Sequence, residues 1–350
     1  RNEKENLSAV KFQAAVIPII EFLSAVTTII ILLIIAIRTN NNSLALPEAL
    51  GLATAFTLYI QRFFNPIRDI VLQYTQLQRA MAGAHRVFEI LDTKPEIKEV
   101  INAKILSNEA KITFDNVSFE YEKDIPVLSN INLEILPGET IAFVGPTGSG
   151  KTTIISLLSR LYEVKSGSIL LEKHNIKDVT LESLSNNIGL VFQEPFLFSG
   201  TIAENISFGK KDADEKEIIE VLNSIGGERF IKNLPEGIKT EIAERGQNLS
   251  SGERQLISIA RAILKNPSIL VLDEATANID QISEQMIQEA IQIALKGRTS
   301  IVIAHRISTI ELADRIVIIN NGKIEKIGTH SELLKNKNIY SDLYKILHNQ

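Results

Sequence analysis

Residues Gly145-Pro146-Thr147-Gly148-Ser149-Gly150-Lys151-Thr152 restrict what this chain can fold into more than any other stretch. They fit the pattern G-x-x-x-x-G-K-[ST], whose glycines let backbone N–H groups curl around phosphate oxygens. A strand-type apolar run, Thr140–Val144, precedes them. A helical pattern follows and would offer its positive end to the same anion. Average residue frequencies give roughly one chance match per hundred chains of this length, and the flanking strand and helix make coincidence rarer. In such a loop Lys151 neutralises the β- and γ-phosphates of a nucleotide and Thr152 holds Mg²⁺.

A phosphate loop hydrolyses nothing by itself; it needs a carboxylate for the metal and a group that orients water. Asn266-Pro267 introduces the run Ile269-Leu270-Val271-Leu272-Asp273-Glu274, an apolar strand that ends in two acids. Asp273 at the strand tip suits Mg²⁺, and Glu274 suits polarising the attacking water. Further short apolar runs lie at Ile188–Phe192, Thr299–Ala304 and Ile316–Ile319. Strands of this buried type alternating with helices predict an α/β core with a largely parallel sheet.

Between the two motifs sits Leu249-Ser250-Ser251-Gly252-Glu253-Arg254-Gln255, which resembles the L-S-G-G-Q signature of the ATP-binding cassette (ABC) family. The order of parts is also similar: Tyr121, phosphate loop, Gln193, signature, Asp273-Glu274, Asp280 and His305. The resemblance covers residues 110–350. It implies a P-loop NTPase domain with a RecA-like core, an antiparallel β subdomain and a helical signature subdomain. It further implies that Tyr121 stacks on adenine and that Gly145 to Thr153, with Thr153 included, wrap the phosphates. Gln193 would contact Mg²⁺ where transmembrane helices dock, Asp280 would lie at the nucleotide, and His305 would bond the γ-phosphate. Glu274, His305 and Gln193 are thus the implied catalytic group. Thr240-Glu241-Ile242-Ala243-Glu244-Arg245-Gly246 resembles the exporter stretch that meets the membrane helices.

In this family Ser250, Ser251, Gly252 and Glu253 face the nucleotide of a second cassette, so ATP joins a dimer. Ser251 stands where glycine is usual, and Glu253 where glutamine is usual. Those departures are similar to exporters built from two different half-transporters with one weaker ATP site; tolerated variation is the alternative.

The N-terminal hundred residues are of another kind. From Phe12 to Ile37 the one charged residue is Glu21, and Phe22–Ile37 holds none. At 1.5 Å per residue such a helix crosses a hydrocarbon layer of about 30 Å. A polar turn, Arg38–Ser43, leads to Pro47 and Glu48, a first turn for a second helix that is apolar from Ala49 to Ile60. Past Pro66, the residues Ile70, Tyr74, Leu77, Met81, Ala84, Phe88 and Leu91 fall on one helical face. Phe56, Tyr59 and Phe63 share another face, suited to packing on a neighbouring helix or to touching a greasy substrate. A buried helix pair in a soluble protein is disfavoured, since Ile29–Ile37 leaves no polar face. Arg62, Arg68, Arg79 and Arg86 place this end in the cytoplasm. Glu21 suits either an intramembrane carboxylate that serves a pathway or, lying about 15 Å along the helix from Lys11, an interfacial one.

The expected organisation is therefore a transmembrane helical hairpin at 1–94, a linker at 95–109 and an ATP-binding domain at 110–350. The expected spans run from about 12 to 37 and from 47 to 66, with a cytoplasmic helix continuing to about 92. The chain starts at Arg1 rather than Met, and two spans are too few to enclose a path, so further helices are expected upstream. Such fused exporters imply a bacterial cell membrane, a lipid environment, an amphipathic cargo (drug, lipid or peptide) and a second half-transporter, identical or related. A soluble ABC ATPase working in DNA repair or translation would lack the apolar span. A net charge of −5 gives no electrostatic reason for nucleic acid, and zero cysteines exclude disulfides and thiolate sites.

Overall fold

The computed structural model describes residues 2–210, 212–232, 234–273, 281–304, 306–335 and 339–348. Contacts divide the chain into two units, 1–96 and 97–350.

In the first unit α1 (Asn2–Asn40) and α2 (Leu46–Asp92) pack against each other as a hairpin. Pro47 opens α2, where its missing N–H costs nothing, and the helix ends where Thr93 returns its N–H to the Glu89 carbonyl at 3.1 Å. Pro66 lies inside α2 without ending it. Among the described residues one segment, Val16–Asn40, is long and apolar enough to cross a membrane. The stretch at 47–66 falls short of that standard, because its apolar run stops at Gln61 and Arg62. Hydroxyls on these helices are satisfied internally: Thr27, Thr28, Thr54 and Thr57 each donate to the carbonyl four residues back, at 2.8–2.9 Å. Backbone and hydroxyl groups that face hydrocarbon need such partners.

The second unit is built on three sheets. An antiparallel sheet joins β1 (Ile112–Glu122), β2 (Ile125–Ile135), β4 (Ser166–Leu171) and β5 (His174–Asn175) in the order β2-β1-β4-β5. The central sheet adds β3 (Thr140–Val144), β6 (Ile188–Val191), β9 (Ile269–Asp273), β10 (Thr299–Ile303), β11 (Arg315–Asn320) and β12 (Lys323–Gly328), ordered β12-β11-β3-β10-β9-β6. Only the β11–β12 pairing is antiparallel. A small ribbon pairs β7 (Gly200–Thr201) with β8 (Glu241–Ile242). The helices are α3 (Lys151–Leu158), α4 (Leu181–Asn187), α5 (Ile202–Ser207), α6 (Glu215–Ser224), α7 (Glu228–Lys232), α8 (Ser251–Leu264), α9 (Gln281–Leu295), α10 (Ile307–Ile310), α11 (His330–Leu334) and α12 (Ile339–His348).

Alternation along the central strands builds two cores. Ile141 and Phe143 of β3, Ile269 and Val271 of β9, and Ile301 and Ile303 of β10 face the antiparallel sheet and α3. Their neighbours Ala142, Val144, Leu270, Leu272 and Val302 face α5, α6, α8 and α9. Burying each large apolar chain stabilises the unit by about 1.5–3 kcal/mol relative to exposure. The two-sided burial explains why these strands are apolar without interruption.

Candidate active site

Register brings the chemistry to one sheet edge. The central strands other than β12 run parallel, with Ile303 beside both Phe143 and Asp273, and Val191 beside Leu272. Hence the loop after β3, the tip of β9 and the segment after β6 emerge together. A crevice at the carboxyl ends of parallel strands is where open α/β sheets bind ligands.

The phosphate loop is shaped by close packing at two glycines. A Cβ on Gly145 would sit 2.0 Å from the Ile319 carbonyl oxygen, and one on Gly150 would sit 2.6 Å from Leu128 Cδ2. Gly150 also has φ of 104° and immediately precedes α3, a combination that L side chains resist. Pro146, Thr147 and Gly148 are exposed, whereas Ser149, Gly150 and Lys151 are buried. The Lys151 ammonium folds over the loop, donating to the carbonyls of Gly145 and Pro146 at 2.9 Å each and to Ser149 Oγ at 3.5 Å. Burial pushes its pKa below the ordinary lysine value, and the Asp273 carboxylate opposes that shift. A charge held in a low-dielectric cradle attracts an arriving polyanion strongly.

Thr152 is exposed on the first turn of α3, Asp273 is buried at the end of β9, and Gln193 is exposed two residues beyond β6. A hydroxyl, a carboxylate and an amide are hard oxygen donors that fit Mg²⁺. Among the described residues no group of three His, Asp or Glu gathers to hold a metal.

Tyr121, near the end of β1, presents a half-exposed ring whose hydroxyl lies 3.2 Å from Thr153 Oγ1 on α3. The signature starts α8. Ser250 caps it, its Oγ accepting the Glu253 N–H at 3.2 Å, while the Glu253 carboxylate accepts the Ser250 N–H at 2.7 Å. Glutamine in that reciprocal box would do the same, so the departure at Glu253 preserves the local structure. Ser251 occupies the first helical position, half-buried, and Gly252 is buried. Glu274, Asp280 and His305 lie outside the described residues.

Sequence reasoning passed over several neighbours. Tyr162 lies edge-on to Tyr121 with ring centroids 5.0 Å apart. Phe196, Phe198 and Phe208 form an exposed aromatic group after Gln193, with Phe198 and Phe208 stacked at 4.5 Å. The pairing of β7 with β8 brings this segment to the Thr240–Gly246 stretch. The one available signal was aromatic density in Phe192–Phe198, which no periodicity accompanies.

A phosphate loop after β3, a buried acid at the tip of β9 with β10 between the two strands, and the capped helix α8 define a P-loop nucleotide-binding domain. Residues 128–277 match the family model described as ABC transporter, so the chain contains an ATPase domain of that family. An ATP-dependent lipid A-core flippase of Syntrophus aciditrophicus is 46% identical over 297 residues, covering 85% of this chain and 49% of the relative. YgaD of Bacillus subtilis, whose name marks it as a candidate multidrug export ATP-binding/permease protein, is 45% identical over 302 residues, covering 86% and 52%. A solved bacterial Atm1-family ABC exporter with ATP bound superposes with a TM-score of 0.70 at 33% identity, over 98% of this chain and 59% of that one. The chain spans about half the length of the curated relatives it matches.

Proposed function

We propose that this chain is the C-terminal part of a half-transporter that couples ATP hydrolysis at a cassette dimer to export of an amphipathic compound. The observation that carries the reading is the convergence of the phosphate loop, Asp273 and Gln193 at one sheet edge, in a chain that also contains the apolar helix Val16–Asn40. Relatives named for lipid A-core flipping and multidrug export support a cargo with both polar and greasy parts, such as a drug or lipid, with a peptide as a further candidate.

In this reading Tyr121 receives the adenine and Gly145–Thr153 cradle the phosphates. Lys151 exchanges its loop carbonyls for phosphate oxygens. Thr152, Asp273 and Gln193 hold Mg²⁺, which neutralises phosphate charge when bound. Glu274 takes the proton of the attacking water, His305 bonds the γ-phosphate, and Asp280 lines the site. Ser250, Ser251, Gly252 and Glu253 close over the nucleotide of a second copy or a related half-transporter. Loss of the γ-phosphate loosens that interface. The cassette lies in the cytoplasm, on the side of Arg62, Arg68, Arg79 and Arg86.

The test is reconstitution of the intact protein in liposomes, with and without a neighbouring half-transporter, carrying Glu274→Gln. Removing a general base lowers turnover by about 10²-fold or more while ATP binding persists. Undiminished phosphate release from the variant would assign the base elsewhere.

A further inference from the structure

The ring of Tyr121 is fixed from three directions. Phe119 lies perpendicular to it at 4.8 Å and 87°, and Tyr162 at 5.0 Å and 87°. Neither stacks on it, so a flat surface is left open and the residue stays 50% exposed. The third restraint is polar: the Tyr121 hydroxyl lies 3.2 Å from the hydroxyl of Thr153, a buried residue two positions past Lys151. The surface that would receive a base is therefore bonded directly to the helix that follows the phosphate loop.

Tyr162 is itself held by a rigid turn. Two residues earlier Arg160, buried and in the left-handed region at φ of 52°, donates to the carbonyls of Ile176 and Lys98 at 3.0 Å and of Val179 at 3.2 Å. Its Nε also reaches Glu163 at 3.2 Å. Four bonds around one guanidinium pin the segment that carries Tyr162. Tyr162 remains 44% exposed while its ring also lies against the buried Phe119, with centroids 5.7 Å apart.

We infer that Tyr162 is a positioning residue for the nucleotide base. With the hydroxyl of the phosphate-cradle residue Thr153, it sets the plane of Tyr121 so that base stacking and phosphate binding reinforce each other. Perpendicular aromatic pairs of this geometry favour one orientation modestly beyond simple burial. A ring free to turn about its side-chain bonds would lose orientational freedom on each binding event; a ring already held does not. The inference rests on Tyr121 being the base platform, as proposed above.

The experiment compares ATP with inorganic tripolyphosphate, which has the phosphates and no base, by calorimetry on the intact protein with Mg²⁺. Tyr162→Ala weakens ATP about two- to tenfold and leaves tripolyphosphate unchanged, and Tyr162→Phe restores ATP affinity. Thr153→Val, which removes a hydroxyl that also belongs to the phosphate cradle, weakens both ligands, ATP by the larger factor. Equal weakening of both ligands by Tyr162→Ala, or no weakening of either, overturns the inference. Tyr162→Leu, which keeps an apolar side chain and removes the ring, reads it should Tyr162→Ala fail to fold, with the same loss for ATP alone. Tyr121→Ala separates the two levels: if it leaves ATP and tripolyphosphate affinities as they were, the platform reading itself fails.

Discussion

Phe22 and Ile37 in α1 are 68% and 60% exposed, while Phe143 and Ile141 in β3 are fully buried. The side chains are of one chemical kind and their surroundings are opposite. In the cassette, alternation sends each apolar residue to one of two cores that the unit itself supplies. In the hairpin, apolar residues surround the helix and the pairing of α1 with α2 covers few of them: Ala49 and Ile60 are the buried residues of α2. The stripe Ile70, Tyr74, Leu77, Met81, Phe88 and Leu91 is exposed as well. The lesson is that apolar content does not define a core. The cassette carries its own non-aqueous interior, whereas the hairpin takes its stability from what surrounds it.

The sharpest way to break that contrast is to cut the same group from both regions. Phe143→Ala should destabilise the cassette by about 3–5 kcal/mol in urea unfolding, through lost burial and the cavity left behind. Phe22→Ala should shift the same transition by less than about 0.5 kcal/mol. Similar losses from both would show that α1 belongs to a shared water-excluding core. A charge sharpens the comparison from the other side. Leu33→Arg should oppose membrane insertion by about 2.5–3.5 kcal/mol, read as lost resistance to carbonate extraction, with nucleotide binding unaffected.

The central strands were legible because burial on both faces leaves a purely local mark. Thr140–Val144 recurs as β3, and the runs at Ile188, Ile269, Thr299 and Ile316 recur as β6, β9, β10 and β11. Strand order was not legible: β3 lies between β10 and β11, far away in the chain, and composition carries no record of that pairing. At the site, the phosphate loop was readable as one contiguous motif, although the Ile319 carbonyl and the Leu128 side chain that crowd Gly145 and Gly150 lie elsewhere in the chain. Tyr162 was not, since what sets it beside Tyr121 is the turn at Arg160, whose partners lie at Lys98, Ile176 and Val179. The second expected span, 47–66, lies within α2, but its apolar run of twelve residues from Ala49 meets Arg62, so composition marks it less plainly than Val16–Asn40.

A smaller effect tests how far the signature tolerates its departures. Ser250→Ala removes the cap of α8 and should cost about 1 kcal/mol of cassette stability in chemical unfolding. Glu253→Gln keeps both arms of the reciprocal box, so the unfolding midpoint should stay unchanged. A large shift from Glu253→Gln would mean that the carboxylate has a structural duty beyond the box. An unchanged midpoint with tighter nucleotide-dependent dimerisation would instead assign its charge to the composite ATP site.

The smallest effect comes from the buried ammonium of Lys151. Its pKa in the folded cassette is below the ordinary 10.5 because burial disfavours the charged form. Between that lowered value and 10.5 the unfolded chain binds more protons than the folded one, so this residue's contribution to stability rises with pH across the window. A bound triphosphate favours the cation and draws the pKa back up. Over the same alkaline range, ATP affinity should therefore fall while the stability of the nucleotide-free cassette gains. The two trends have opposite signs for one group, which separates Lys151 from other lysines and tyrosines titrating nearby. Lys151→Met should remove both components, read as the difference from the parent protein in calorimetric affinity and in urea midpoint between about pH 8 and pH 10. Parallel trends in parent and variant would place the titration on another residue.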